Sequence, residues 1–276
     1  MQERIRIGVA GWGVPKALVA EFPGEGAHLA RYARRLAAVE IDTSFDRSHR
    51  PETYARWAAS APPDFRFAVK APREITHRRR LVDAAEPLDR FLSEVKELGD
   101  KLGPVLVQLA PSFAFDEETV AAFFGMLRAR YEGDVACEPR HLSWFEDSVD
   151  ALLSQFQVAR VAADPAPTPR AAAPGGWPSL VYYRWHGAPK VYYSDYDAEA
   201  LDIIAQQLCA PPAAKARETW CIFDNTALGK ATKDALSLMA RLSEPAKRRV
   251  RQNRSTHGRN STSSDQALRG WRKTST

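Results

Sequence analysis

Along this 276-residue chain, eight short apolar, β-branched runs each end in residues that can hold a charge or move a proton. They end on Trp12, Asp42, Lys70, Gln108, Glu138 with Arg140 and His141, Asp164, Arg184 with His186, and Asp224 with Asn225. A strand running out into solvent usually closes on Gly, Asn or Ser, whereas charges set directly after apolar runs are drawn out of water and need partners. Lys70, Arg140 and Arg184 make an anion receptor, because guanidinium forks match phosphate or carboxylate oxygens while lysine adds a point charge. Glu138 and Asp164 are too few to neutralise three cations, so a substrate anion is expected to supply the missing charge. Glu138, His186, His141 and Asp164 are the candidate acid–base groups. Gln108, Asn225, Trp12 and Asp42 join the three cations as candidate substrate contacts. Carboxylate and imidazole could also ligate a divalent metal, but no HxH or HExxH spacing fixes one and the cations oppose it, so a metal-free site is preferred. No cofactor motif is present.

Each residue also has a structural reading. Asp42 and Asp164 could cap turns, and for Asp42 taken singly that is the better reading. Gln108 could serve buried backbone groups, Trp12 could pack, and both histidines could be satisfied core residues. Lys70, Glu138, Arg140, Arg184 and His186 together could form a structural ring of ion pairs. That ring ranks below an active site because it could use either strand end, and these residues all fall on one.

The elements that must carry them follow from the hydrophobic pattern. Strands are predicted at Arg4 to Ala10, Ala38 to Thr43, Arg66 to Lys70, Pro104 to Ala110, Asp134 to Glu138, Val158 to Asp164, Ser179 to Trp185 and Glu218 to Phe223. Helices are predicted between them at His28 to Ala37, Pro51 to Ser60, Ala85 to Leu102, Asp116 to Tyr131, Asp147 to Phe156, Asp197 to Cys209 and Leu228 to Leu242. This alternation is the pattern of βαβ units and a parallel sheet. No GxGxxG or GxxxxGK[ST] follows any strand, which disfavours a nucleotide-binding open sheet. Pro165 to Pro178 lacks periodicity and reads as a long loop. The expectation is a closed parallel eight-stranded β/α barrel of the TIM type over residues 1–242, with its site at the carboxyl ends of the strands.

Hydrophobic residues at 45% and charged residues at 26% exclude a wholly disordered chain. No apolar run reaches the roughly 18 residues of a membrane span, and Glu3, Arg4 and Arg6 occupy the place of a signal peptide's apolar stretch. Cys137, Cys209 and Cys221 form no CxxC pair, so a cytoplasmic protein is expected. The net charge of +5 is uneven. From Ser243 to Thr276 nine Lys/Arg face two acids, a local +7, which leaves −2 for the preceding residues. That segment is predicted to be a disordered basic tail. It reads as a solubilising end or as a nonspecific nucleic-acid contact, and the first is preferred.

The pieces GVAGW (8–12), VEIDTSF (39–45), DFRFAVKAPREITH (64–77), LGPVLVQLAPSF (102–113), CEPRHLSWF (137–145), VYYRWHG (181–187) and CIFDNTALGKA (221–231) resemble the YecE-like family, domain of unknown function 72. The resemblance runs from about residue 5 to 242 and implies a β/α barrel distantly similar to the group that holds xylose isomerases and apurinic endonucleases. It implies no particular reaction. Asp42 and Asp46 depart from the family's Asn-Ser-Thr-Phe-Tyr, Pro139 and Leu142 from its Glu-Phe-Arg-His-Pro-Ser-Trp, and Asp224 from a common asparagine. Two functions follow as expectations. One is an enzyme acting by acid–base chemistry on an anionic, phosphate-containing small molecule or nucleic-acid end. The other is a non-catalytic binding protein for a phosphorylated ligand or nucleic acid.

Overall fold

The computed structural model describes residues 5–243, so all but the first residue of the expected tail lies outside the described residues. One compact unit ends at Leu238, and a second begins at Met239.

Among the described residues ten strands form: β1 Ile5–Val9, β2 Ala38–Ile41, β3 Arg66–Lys70, β4 Leu102–Gln108, β5 Val135–Glu138, β6 Val158–Arg160, β7 Ala162–Asp164, β8 Gly175–Gly176, β9 Leu180–Trp185 and β10 Glu218–Phe223. The helices are α1 His28–Tyr32, α2 Pro51–Ser60, α3 Ala85–Val95, α4 Glu117–Arg128, α5 Asp147–Gln155, α6 Ala198–Cys209 and α7 Lys230–Ser243. Their starts follow local chemistry. Pro51 opens α2, where its missing N–H costs nothing, and the Asp116 and Asp197 carboxylates cap α4 and α6 by accepting from Thr119 N and Ala200 N. The helix expected up to Leu102 stops at Val95, after which a 3-10 stretch passes through Gly99 at a φ of 54°.

The strands do not close into the expected eight-stranded parallel barrel. They make two sheets, one in the order β1-β10-β9-β7 and one in the order β2-β3-β4-β5-β6-β8. The predicted strand Val158 to Asp164 breaks at Val161: β6 pairs with β5, while β7 pairs with β9. The free edge of β6 is taken by β8, which runs antiparallel from inside the segment read as structureless, so no parallel neighbour can join there. At the other seam β1 and β2 share a single bridge, Ala10 with Glu40, and one hydrogen bond from Gly11 N to Glu40 O at 2.9 Å. Gly8 permits that approach, because a Cβ there would stand 2.4 Å from Ala38 O.

Both sheets face one core. Ala38, Ala68, Leu106, Ala136, Ala159, Leu180, Tyr182, Trp220 and Ile222 pack together in it. The four alanines leave room for Tyr182 and Trp220, which stack with ring centres 5.9 Å apart. Side chains along a strand alternate faces, so the residue two positions further on points the same way. From Ala38, Ala68, Leu106, Ala136, Tyr182 and Ile222 that step leads to Glu40, Lys70, Gln108, Glu138, Arg184 and Asp224. The sequence therefore lays a polar layer on the carboxyl-end side of an apolar one.

Candidate functional site

Arg184 is the centre of that layer and is fully buried. Its Nη2 donates to Glu40 Oε1 at 2.6 Å and to Asp224 Oδ2 at 3.0 Å, its Nη1 to Glu138 Oε2 at 2.6 Å, and its Nε to Glu40 Oε2 at 3.2 Å. Tyr182 OH donates to Glu40 Oε2 at 2.7 Å, which ties the ionic layer to the aromatic pair beneath. Gln108 Nε2 donates to Glu138 Oε2 at 3.2 Å.

His186, also buried, stands between Asp224 and Glu138, with Nδ1 2.9 Å from Asp224 Oδ2 and Nε2 3.0 Å from Glu138 Oε1. Arg140 reaches in from the solvent side. Its Nη2 lies 2.6 Å from His186 Nε2 and is ion-paired with Glu138 Oε1. A guanidinium only donates and the Glu138 carboxylate only accepts, so Nε2 either accepts from Arg140 or donates to Glu138; where it accepts, the imidazole proton sits on Nδ1 and goes to Asp224. In that tautomer one Arg140 nitrogen caps the lone pair a base would use. Its Nε and Nη1 have no partner among the described residues. At the lip, Lys70 Nζ is 2.9 Å from Asp42 Oδ1 and 4.4 Å from the centre of the Phe45 ring.

Burial and pairing divide the ionisation. Burial would raise the Glu138 carboxyl, but Arg140, Arg184 and His186 outweigh it and hold it well below the usual carboxylate range. Asp224 is likewise lowered, by Arg184 and His186 against burial. Burial pushes Glu40 up despite Arg184, with Asp42 and Asp224 adding repulsion. Arg184 is held further into its charged form by Glu40, Glu138 and Asp224 against the effect of burial.

The structure therefore joins Lys70, Asp42, Gln108, Glu138, Arg140, Arg184 and His186. It alters one premise: Glu40, Asp42, Glu138 and Asp224 outnumber the three cations, so no missing anion is required. Arg184, fully buried with four of its five N–H groups on carboxylates, positions them and has no surface open to a ligand. Asp164 lies level with Trp185 rather than with Arg184, on the other face of its sheet, where it accepts from Tyr196 OH at 2.7 Å. Asn225 is buried and donates to Ser194 O at 2.9 Å and Asp234 Oδ2 at 2.7 Å. His141 Nδ1 hydrogen-bonds Ser143 Oγ at 2.9 Å and accepts from Ser143 N, as a turn cap. Trp12 packs edge-on against Trp57 at 4.9 Å.

Two participants were not among the candidates. Glu40 stands inside an apolar run and is marked only by its two-residue spacing from Ala38. Tyr192 lies in a loop with no period. Its ring stands edge-on to His186 at 5.7 Å and its backbone is left-handed at a φ of 69°, held by Tyr192 N to His186 O and Ala227 N to Tyr192 O. Its side of the site is open, with 43% of the residue exposed.

Among the described residues, no group of three or more His, Cys, Asp or Glu is arranged to hold a metal ion. Arg184 and Arg140 occupy the sides of Glu138 and Asp224 that a cation would need. No helix among the described residues is long and apolar enough to cross a membrane.

Parallel strands with an ionic layer at their carboxyl ends make this an α/β protein, and in such folds ligands bind outside those ends. The chain belongs to the family described as "Protein of unknown function DUF72", whose profile matches residues 6–259. It is similar to the UPF0759 protein YecE of Escherichia coli, 29% identical over 168 residues, which covers 59% of this chain and 60% of that protein. It is 31% identical over 151 residues to the UPF0759 protein YunF of Bacillus subtilis, covering 51% of this chain and 52% of YunF. The matched stretches thus span little more than half the length of these relatives. In structure it resembles a DUF72 family protein from Enterococcus faecalis, with a TM-score of 0.73 at 22% identity, covering 87% of this chain and 96% of that one. Another, from Thermotoga maritima, gives a TM-score of 0.72 at 22% identity and covers 87% and 100%. These likenesses concern the fold.

Proposed function

We propose that this chain is an enzyme that moves a proton through His186 on a small anionic substrate held by Arg140 and Lys70. The observation that carries this reading is the single Arg140 nitrogen shared between Glu138 and His186 Nε2 at the solvent edge of a buried ion network. An arriving anion, phosphate above all, competes with Glu138 for the guanidinium because charge-assisted bonds to a fork are the strongest offered there. Drawing Arg140 outward uncovers the Nε2 lone pair. His186 then accepts a proton from the substrate at Nε2 while keeping its Nδ1–H on Asp224, and the imidazolium so formed lies between two carboxylates that stabilise it. Return of the proton to another substrate atom, or to a leaving group, completes the cycle. Lys70, paired with Asp42 at the lip, offers a second charge to the substrate.

The test is a turnover screen of phosphorylated metabolites, guided by mass spectrometry of small molecules released on denaturing the purified protein. Conversion by the wild type and its loss in His186→Gln, with Arg140→Met raising KM, is the expected result. Equal conversion by His186→Gln overturns the reading. A ligand bound equally by both and never converted makes the protein a binding protein instead.

A further inference from the structure

Next to the ionic network, a cleft of about 210 Å³ opens between the turn after β2, the turn after β3 and α3. Phe45, Arg47, Arg73, Arg78, Arg90 and Glu94 are among the residues that line it. Its charges are unequally matched. Arg73 pairs with Asp46 at 3.2 Å, Arg90 with Glu74 at 2.8 Å, and Glu94 accepts from Ser48 Oγ. Arg47 and Arg78, both exposed, have no carboxylate partner among the described residues.

The backbone that presents Arg78 is unusual. Glu74–Arg78 is a π-helical turn, and Arg80, Leu81 and Asp83, none of them glycine, follow with φ of 51°, 69° and 49°. Such conformations are costly, persist only where the surroundings fix them, and cluster at ligand clamps. Here they are fixed by Arg79 Nη1 to Asp83 O at 2.6 Å, Leu81 N to Ile75 O at 3.0 Å, and Arg80 Nη2 to Ser112 O at 3.0 Å. The region is also positive as a whole: His77 is held below the usual imidazole range by burial first and then by Lys70, Arg73 and Arg80. The Phe45 ring joins the cleft to the network, with Lys70 Nζ 4.4 Å and Arg73 Cζ 4.9 Å from its centre.

We propose that this cleft binds an anionic group, phosphate or carboxylate, held by Arg47, Arg78 and Arg73. Resting on the proton-transfer reading above, it is the second anchor of the same substrate, which therefore carries two separated anionic groups with Phe45 between them.

Inorganic phosphate is the probe, titrated calorimetrically into the full chain. Arg47→Gln/Arg78→Gln should abolish one phosphate equivalent, or weaken it by more than about tenfold, while Arg140→Gln retains it; Arg47→Lys/Arg78→Lys should keep part of the affinity. Because both side chains are exposed and form no ion pair with the described residues, the double variant should melt like the wild type. Unchanged binding in the double variant, no saturable binding by the wild type, or a loss that only Arg140→Gln produces overturns the cleft. None of these depends on turnover, so failure of the His186 reading shows separately, in the His186→Gln assay.

Discussion

Arg184 of β9 holds both oxygens of Glu40 of β2, at 2.6 and 3.2 Å, and thereby links the four-stranded sheet to the six-stranded one across the core. Glu138 of β5 repeats the link. No continuous ladder joins the sheets at either seam, so this buried guanidinium does at their carboxyl ends what backbone pairing does not.

Arg184→Met should therefore be severely destabilising, by about 3–5 kcal/mol, since it strands buried carboxylates without a counter-ion. Arg140→Met leaves Arg184 on Glu138 and strands no other carboxylate, so it should cost less than Arg184→Met. Urea denaturation of the two variants compares them, and equal midpoints would remove Arg184 from this role.

Glu40 and Glu138 touch the same guanidinium but differ in ionisation. Glu138, held low by Arg140, Arg184 and His186, gains from its charge; Glu40 is instead pushed up by burial. Glu138→Gln should lower the melting temperature more than Glu40→Gln at neutral pH.

The acid limb of stability follows from the same directions. Glu138 and Asp224 are lowered in the folded chain, so the unfolded chain binds their protons first as pH falls. Their contribution is complete above the unfolded values of about 4 and is lost as pH drops through the folded ones. Glu40, raised, has the opposite sign and opposes folding as pH climbs above its unfolded value. Denaturation free energies between about pH 2 and 5 should fall steeply for the wild type and less steeply for Glu138→Gln.

The proposed base needs His186 as the Nδ1–H tautomer, with Nε2 accepting from Arg140. Long-range nitrogen–proton NMR should show Nε2 unprotonated in the free protein, and phosphate should change the Nε2 environment in the wild type but not in Arg140→Met. A protonated Nε2 in the free wild type would mean that Arg140 does not cap it.

Nine Lys/Arg against two acids between Ser243 and Thr276 predict weak, sequence-insensitive binding if the chain contacts nucleic acid. Affinity should fall steeply with salt. Deleting residues 244–276 should remove it, and binding that survives the deletion would place the contact elsewhere.

Much of this was legible in the residues. Alternation located the strands, and the polar residues that end them led to Lys70, Glu138, Arg140, Arg184 and His186. Glu40 escaped because an acid between Val39 and Ile41 resembles an interruption until its spacing from Ala38 is used. The same spacing, Ala159, Val161, Ala163, would have turned Asp164 away from the network. The failure to close had a different source. Which segment takes the edge of β6 is decided by two glycines, Gly175 and Gly176, in a stretch with no periodicity, and a long-range antiparallel pairing of that kind leaves no local trace.

The alanine layer beneath the charges also shapes what they do at a distance. Ala38, Ala68, Ala136 and Ala159, filled in by Tyr182 and Trp220, form an apolar floor of low dielectric constant, while Arg140 and Asp42 on the other side are partly open to solvent. Charges on such a boundary are screened from one direction only, and low-dielectric walls focus their field. The potential of the cluster is thus directed outward through its lip, so an approaching solute should sense Lys70 and Arg140 before it touches either.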